Sequence, residues 1–252
     1  MGQPSLPPSS TVKFAWLILL TTGIAAGAGA GYFVDQEKYR EYHKMPQNIL
    51  DELAASKTPN PPQDLADRMR VAGTKNDYRN AALVVAISGA ILGGLTGGLC
   101  GGIRRKTFGL LAGLVTGALF GAAAGYGGGW ASKEIQVRFP ITSMDELLRS
   151  MMMHATAWGA VGLGTGLAVG VSSRSPKQFI GNALMIAVVA GLAGAIFPFL
   201  AMYFFPAART ARPIPSETDA TIFWVALTGG LLGLTAGRLA GQKIPPTGST
   251  SG

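Results

Sequence analysis

The chain has 252 residues, of which 48% are hydrophobic and only 13% are charged, and it contains 36 glycines. A soluble domain has about 25% charged residues and about 7% glycine, so this composition predicts a membrane protein. The single cysteine, Cys100, excludes an intramolecular disulfide framework. The formal net charge of +8 does not indicate a nucleic-acid-binding protein, because the excess charge lies beside the ends of apolar segments.

Six apolar stretches are long enough to cross a bilayer, whose core needs about 20 apolar residues in helical form. They lie at 14–34, 81–103, 108–131, 155–171, 179–205 and 220–241. Backbone groups in lipid must pair within the chain, so each stretch is predicted to be a helix. We therefore predict an all-α, polytopic membrane bundle with six transmembrane helices over residues 13–244. The tails 1–12 and 245–252 are predicted to be disordered.

The first stretch has two interpretations. Lys13, the apolar run after it and the small residues Ala28-Gly29-Ala30 also fit a secretory signal peptide with a cleavage site. The glycines at Gly23, Gly27 and Gly31 continue the spacing of the other stretches. That spacing favours a helix that is retained in the membrane.

The connection 35–80 carries eight acidic and eight basic residues. Its segments 46–57 and 62–71 are predicted to be short amphipathic helices, separated by a proline-rich break. A later connection contains Ser143-Met144-Asp145-Glu146, a capping-box pattern that should begin a helix leading into 155–171. The connection 207–219 is predicted to lack regular structure.

Glycines spaced four residues apart occur in most of the stretches. Membrane helices associate by close backbone contact, which small residues permit. A repeat of four exceeds 3.6 residues per turn, so each stripe should wind right-handed, and neighbouring helices should cross at about −40°. The predicted helix-packing residues are Gly89, Gly93, Gly97, Gly101, Gly109, Gly113, Gly117, Gly121, Gly125, Gly129, Gly162, Gly166, Gly170, Gly229, Gly233 and Gly237.

Six spans would place both termini on one side of the membrane, which we call side A; the opposite side is side B. The basic residues of side A are Lys13, Arg104, Arg105, Lys106, Arg174, Lys177, Arg238 and Lys243, and no acidic residue accompanies them. Short basic connections stay in the cytoplasm. We therefore expect an integral protein of a bacterial inner membrane, with cytoplasmic termini and the 35–80 loop outside.

Few residues in the stretches could carry chemistry. Pro198 is either a hinge or a static kink. His154 is either a proton relay or a histidine at the membrane interface, and Arg238 is close enough to side A to snorkel. Phosphate-loop, nucleophile-elbow and zinc-protease motifs are absent from the sequence. We expect no enzyme activity, no cofactor and no metal site.

The leading functional hypothesis is a structural or interaction subunit of a membrane assembly. Its expected partners are the lipid bilayer and other membrane helices, from a second copy or another protein, and not nucleic acid. The alternative is a channel or transporter for a small solute or ion, which Pro198 and Asn182 favour. The residues that could line a path are Thr96, Thr116, Thr165, Thr228 and Thr235.

The glycine spacing resembles that of glycine-zipper membrane proteins over all six stretches. It is more distantly similar to a mitochondrial inner-membrane import family with glycine-spaced helices. The Arg-x-x-x-Asp element of that import family is missing from the helical region, and six spans exceed its usual four. The resemblance therefore implies close helix packing and no particular activity.

Overall fold

A computed structural model describes residues 14–36, 45–56, 61–140, 144–171, 176–208 and 210–241, without the side chains of 104–106 and 176–178. Within these ranges the protein has seven helices and no strands, which confirms the predicted all-α class. The helices are α1 (Ala15–Asp35), α2 (Gln47–Ala55), α3 (Gln63–Ile103), α4 (Thr107–Arg138), α5 (Glu146–Val171), α6 (Pro176–Phe204) and α7 (Thr218–Gly241). The two helices α3 and α4 follow one another within the helical segment Gln63–Arg138.

Five of these helices, α1, α3, α4, α6 and α7, are long and apolar enough to cross a membrane. The predicted stretch 155–171 lies in α5, which is not among the five. This helix is less apolar because it carries Arg149, Ser150, His154 and Thr165, all of which are buried. Their burial shows that α5 faces protein along much of its length.

Six of the seven helices form three antiparallel pairs. Helix α3 packs on α4, α5 packs on α6, and α1 packs on α7. Gly101 of α3 lies against Gly109 of α4, so the chain reverses direction between these two residues. The α1–α7 pair joins helices from opposite ends of the described chain.

The pairs are packed together around large buried side chains. Trp158 of α5, Trp224 of α7 and Phe197 of α6 are fully buried. The Trp224 ring packs against the rings of both Trp158 and Phe197, with centroids 4.9 and 6.1 Å away. Leu92 of α3 contacts α7 at Gly229. The core therefore lies where α3, α5, α6 and α7 meet.

The predicted loop between the first two stretches is more helical than the sequence pattern suggested. The first short helix is present as α2. The second predicted helix, 62–71, is the beginning of α3 and continues without a break into the apolar stretch. No proline follows Pro62 before the apolar stretch begins, so nothing in the sequence interrupts the helix. Arg68, near the start of α3, bonds the Glu52 carboxylate of α2.

Helix α5 begins with an aspartate cap. The Asp145 carboxylate accepts hydrogen bonds from the backbone N–H groups of Leu147 and Leu148, at 2.9 and 3.1 Å. An acceptor at this position satisfies free N–H groups of the first helical turn. Ser143, the expected cap, lies outside the described residues.

Candidate functional sites: glycine contacts and a side B cavity

The glycine stripes of α3 and α4 lie against each other. A Cβ atom added to Gly117 would lie 2.6 Å from the carbonyl carbon of Gly93, and one added to Gly113 would lie 2.6 Å from that of Gly97. Ordinary contacts of a Cβ atom begin near 3.4 Å. The two backbones are therefore closer than any larger residue at these positions would allow. The other predicted residues in this interface are Gly89, Gly101, Gly109, Gly121, Gly125 and Gly129, each against backbone of the partner helix.

The predicted glycines of α5 and α7 also face neighbouring helices. On α5, a Cβ on Gly166 would lie 2.5 Å from the Ala183 Cα atom of α6. On α7, a Cβ on Gly233 would lie 2.7 Å from the carbonyl carbon of Leu19 on α1. The remaining predicted residues in these two interfaces are Gly162, Gly170, Gly229 and Gly237.

Three further glycines make contacts of the same kind, although they lie outside the predicted series. Gly164 of α5 faces Phe120 of α4, Gly128 of α4 faces α5, and Gly194 of α6 faces His154. Gly128 and Gly164 join the α3–α4 pair to the α5–α6 pair. The adjacent glycines at 127–129 were the available signal, since neighbouring residues point to different faces of a helix.

His154 lies inside the helix bundle. Its ring is fully buried, and Nε2 lies 3.1 Å from the carbonyl oxygen of Thr210. The Ser150 hydroxyl donates to the same oxygen at 2.5 Å. The rings of Phe197 and Trp224 stand edge-on to His154, with centroids 5.2 and 5.3 Å away. This cluster anchors the segment before α7 to α5.

Pro198 is buried within α6, one turn after Gly194. Asn182 of α6 is half-buried, and Arg238 is exposed in the last turn of α7. The other seven basic residues assigned to side A lie outside the described residues or have undescribed side chains, and His43 also lies outside them.

The predicted pore-lining threonines do not gather around one cavity. Thr116, Thr228 and Thr235 donate to carbonyl oxygens of their own helices, at 2.7, 3.1 and 2.8 Å. Thr96 is buried beside α1, and the hydroxyl of Thr165 is buried without a partner among the described residues. Three of the five hydroxyls are therefore used within their own helices.

The structure has a cavity of about 640 Å³ at the end of the bundle that the sequence assigned to side B, and we call it the side B cavity. Its walls come from α1, α3, α4, the start of α7 and the segment 212–216. Charged and polar groups are combined with apolar ones. The lining residues are Val34, Asp35, Asp77, Asn80, Ala81, Val84, Lys133, Gln136, Arg212, Pro213, Ile214, Pro215, Ser216 and Thr221.

Hydrogen bonds hold the polar side chains around this cavity. The Lys133 ammonium lies 2.9 Å from an Asp77 carboxylate oxygen and 2.7 Å from the Gln136 amide oxygen. Gln136 in turn donates to the Ala211 carbonyl oxygen at 2.9 Å, which ties α4 to the segment before α7. The Thr218 hydroxyl donates to Asp35, another lining residue.

A second link between α3 and α4 lies beyond the apolar stretches. The Tyr78 hydroxyl donates to the Glu134 carboxylate, and the Tyr78 ring packs on Trp130 with centroids 4.8 Å apart. The Tyr78 hydrogen bond, and then that from Arg138, lower the pKa of Glu134 below its ordinary value, because both favour the ionised carboxylate.

Comparison of the chain with protein-family models, with curated proteins and with solved structures found no match. Among the described residues, no three histidine, cysteine or acidic side chains are placed to hold a metal ion. The class of the protein is therefore defined by its fold and not by similarity to a known protein. It is an all-helical protein with five helices suited to crossing a membrane.

Proposed function

We propose that six helices cross the membrane and that α5 is the sixth. Gly162 and Gly166 of α5 lie against α6, and Gly164 lies against α4, so α5 runs beside two candidate membrane helices. Polar residues in membrane helices face the bundle interior, and four polar residues of α5 are buried, namely Arg149, Ser150, His154 and Thr165. Its lower apolar content is therefore consistent with a position inside a membrane bundle.

The glycine stripes act as zippers that hold this bundle together. Lipid offers no hydrophobic driving force between helices, so packing of close backbones replaces it. Helix α1 shares this role, because Gly23 and Gly27 lie against α7. Its contacts with α7 support a first helix that is retained rather than cleaved.

The protein resides in a bacterial inner membrane with side A in the cytoplasm. The eight basic residues of side A, without an acidic one, support this orientation. In a Cys100→Ser background, Asn48→Cys should react with a membrane-impermeant maleimide in intact cells. Ser251→Cys should react only after permeabilisation. Labelling of Ser251→Cys in intact cells would reverse the orientation.

The biochemical role that this arrangement supports best is a structural or interaction subunit of a membrane assembly. The observation that carries the proposal is the contrast between two surfaces. The glycine faces contact other helices of the same chain, whereas the outward faces of α4 and α6 carry rows of large apolar side chains. Among these exposed side chains are Phe108, Leu111, Val115, Leu119, Ile180, Val188, Phe199 and Tyr203.

Photo-crosslinking of the full chain in its own membrane tests this role. A photoreactive phenylalanine at Leu119 or Val188 should give an adduct of defined mass that also appears in the native complex. Leu17 on α1, which is exposed on another face, provides the control position. Lipid adducts alone at all three positions, together with a monomeric particle in mild detergent, would contradict an assembly role.

A small-solute transporter is the second candidate. The side B cavity favours it, as do polar atoms buried in the core without a partner among the described residues, namely Ser88 Oγ, His154 Nδ1, Trp158 Nε1, Thr165 Oγ1 and Trp224 Nε1. A buried polar group without a partner costs about 1–3 kcal/mol, which water in a transport path would offset. Solute uptake by vesicles that contain the purified protein, and not by empty vesicles, would support this candidate over the first.

A further inference from the structure

We propose that the side B cavity binds a small zwitterion of dipeptide size, with an ammonium group, a carboxylate and an apolar body. This inference rests on the cavity and its charges, and it does not depend on the assembly role proposed above. It would stand for a subunit of an assembly and for a transporter alike.

The cavity has the size and the construction of a ligand site. Sites for small molecules are clefts of about 300–1,000 Å³ that combine apolar walls with a few placed polar groups, and this cavity measures about 640 Å³. Its walls are contributed by four helices and one connecting segment. A ligand held there would contact both the α3–α4 pair and the α1–α7 pair.

Among the described residues that line the cavity, cations and carboxylates are equal in number. Two cations, Lys133 and Arg212, and two carboxylates, Asp35 and Asp77, line it. A ligand with a net charge would leave one of these signs in excess, whereas a zwitterion matches both. The balance therefore favours a ligand that carries both an ammonium group and a carboxylate.

Arg212 is the group best placed to receive the ligand carboxylate. Its side chain is exposed and forms no ion pair with any described residue, whereas the Lys133 ammonium already lies between Asp77 and Gln136. A guanidinium group can donate two parallel hydrogen bonds to a carboxylate. The ligand ammonium would then lie near the carboxylate of Asp35 and near that of Asp77, which can accept a further hydrogen bond beside the one from Lys133.

The rest of the cavity would receive an apolar body. Ala81 and Val84 of α3 are buried toward the membrane end, and Val34 of α1 is also buried. Pro213 and Pro215 are buried in the segment on another wall. Leucine side chains fit these surfaces, so leucyl-leucine is a suitable probe.

Binding of three peptides to the full-length protein in lipid nanodiscs tests the proposal. Isothermal titration should detect leucyl-leucine, while N-acetyl-leucyl-leucine and leucyl-leucine amide should bind at least tenfold more weakly. Each blocked peptide lacks one of the two charges, and hydrogen bonds to charged groups are worth enough to give about a tenfold effect. No binding of leucyl-leucine at millimolar concentration, or equal binding of all three peptides, would overturn the proposal.

The variant Arg212→Gln identifies the site. It should weaken leucyl-leucine about tenfold and leave the amide, which has no carboxylate, unchanged. Arg70→Gln is the matched control, because Arg70 lies on α3 away from the cavity with its side chain 79% exposed. If Arg212→Gln binds leucyl-leucine as tightly as Arg70→Gln does, the assignment to this cavity is wrong. The blocked peptides test the zwitterion requirement on the unaltered protein, whatever the stability of the variant.

Discussion

Replacing Gly117 with alanine should separate α3 from α4. The new Cβ atom would lie 2.6 Å from the carbonyl carbon of Gly93, where ordinary contact begins near 3.4 Å. The atoms in its way belong to the backbone of α3, so no side chain can rotate aside. The two helices would have to move apart by roughly 1 Å, and packed interiors resist such shifts.

The expected loss of stability is about 1–3 kcal/mol, the usual range for an overpacked interior. The cost is not confined to one position, because Gly89, Gly97 and Gly101 make matching contacts on the same face of α3. Gly117→Leu should exceed this range and reduce the amount of assembled protein recovered.

Gly127→Ala is the matched control for this substitution. Gly127 lies on the same helix, is exposed, and a Cβ atom there would meet nothing within 4 Å. Alanine is also the better helix former by about 1 kcal/mol in water, so Gly127→Ala should be neutral or stabilising. Unfolding midpoints in the same detergent, with gel filtration of the assembled particle, measure the difference. Equal midpoints for Gly117→Ala and Gly127→Ala would refute the close-packing argument.

The same reasoning applies to other contacts. Gly233→Ala should destabilise the α1–α7 pair by about 1–3 kcal/mol, because its Cβ would lie 2.7 Å from the Leu19 carbonyl carbon. Gly29→Ala should have no such effect, because a Cβ there would meet nothing within 4 Å. Thermal unfolding of the two variants measures the difference. His154→Ala should cost about 2–4 kcal/mol through a cavity and a lost hydrogen bond to Thr210, and limited proteolysis should then cleave the segment before α7 more rapidly than in the wild type. Unchanged cleavage would show that His154 does not anchor that segment. Tyr78→Phe should return the pKa of Glu134 toward its ordinary value, since it removes the larger of the two hydrogen bonds, and a carboxylate titration followed by NMR would show whether it does.

The helices were largely predictable from local sequence. The stretch 179–205 corresponds to the apolar part of α6, Phe179–Phe204, and 220–241 corresponds to α7, Thr218–Gly241. Long apolar runs specify helices because backbone groups away from water must pair within their own segment. The helix ends beyond these runs were less predictable, as the continuous start of α3 shows, since ion pairs with α2 and α4 extend it.

The candidate sites were also predictable only in part from the sequence. The glycine faces were predictable because a spacing of four places residues on one side of a helix. The cavity was not predictable, because Asp35, Asp77 and Arg212 are far apart in the sequence and meet only when α1, α3 and the segment before α7 converge. His154 likewise gave no sign of its contact with Thr210.

The amino-acid sequence alone determined that the described chain is helical, where its apolar helices lie and which of their faces are lined with glycine. Only the tertiary structure decided that α1 pairs with α7, that α5 lies within the bundle, and which charges surround the cavity. Helix formation depends on neighbours within a few residues, whereas a glycine stripe is similar on every helix and does not specify its partner. The choice of partner depends on how all the helices pack together.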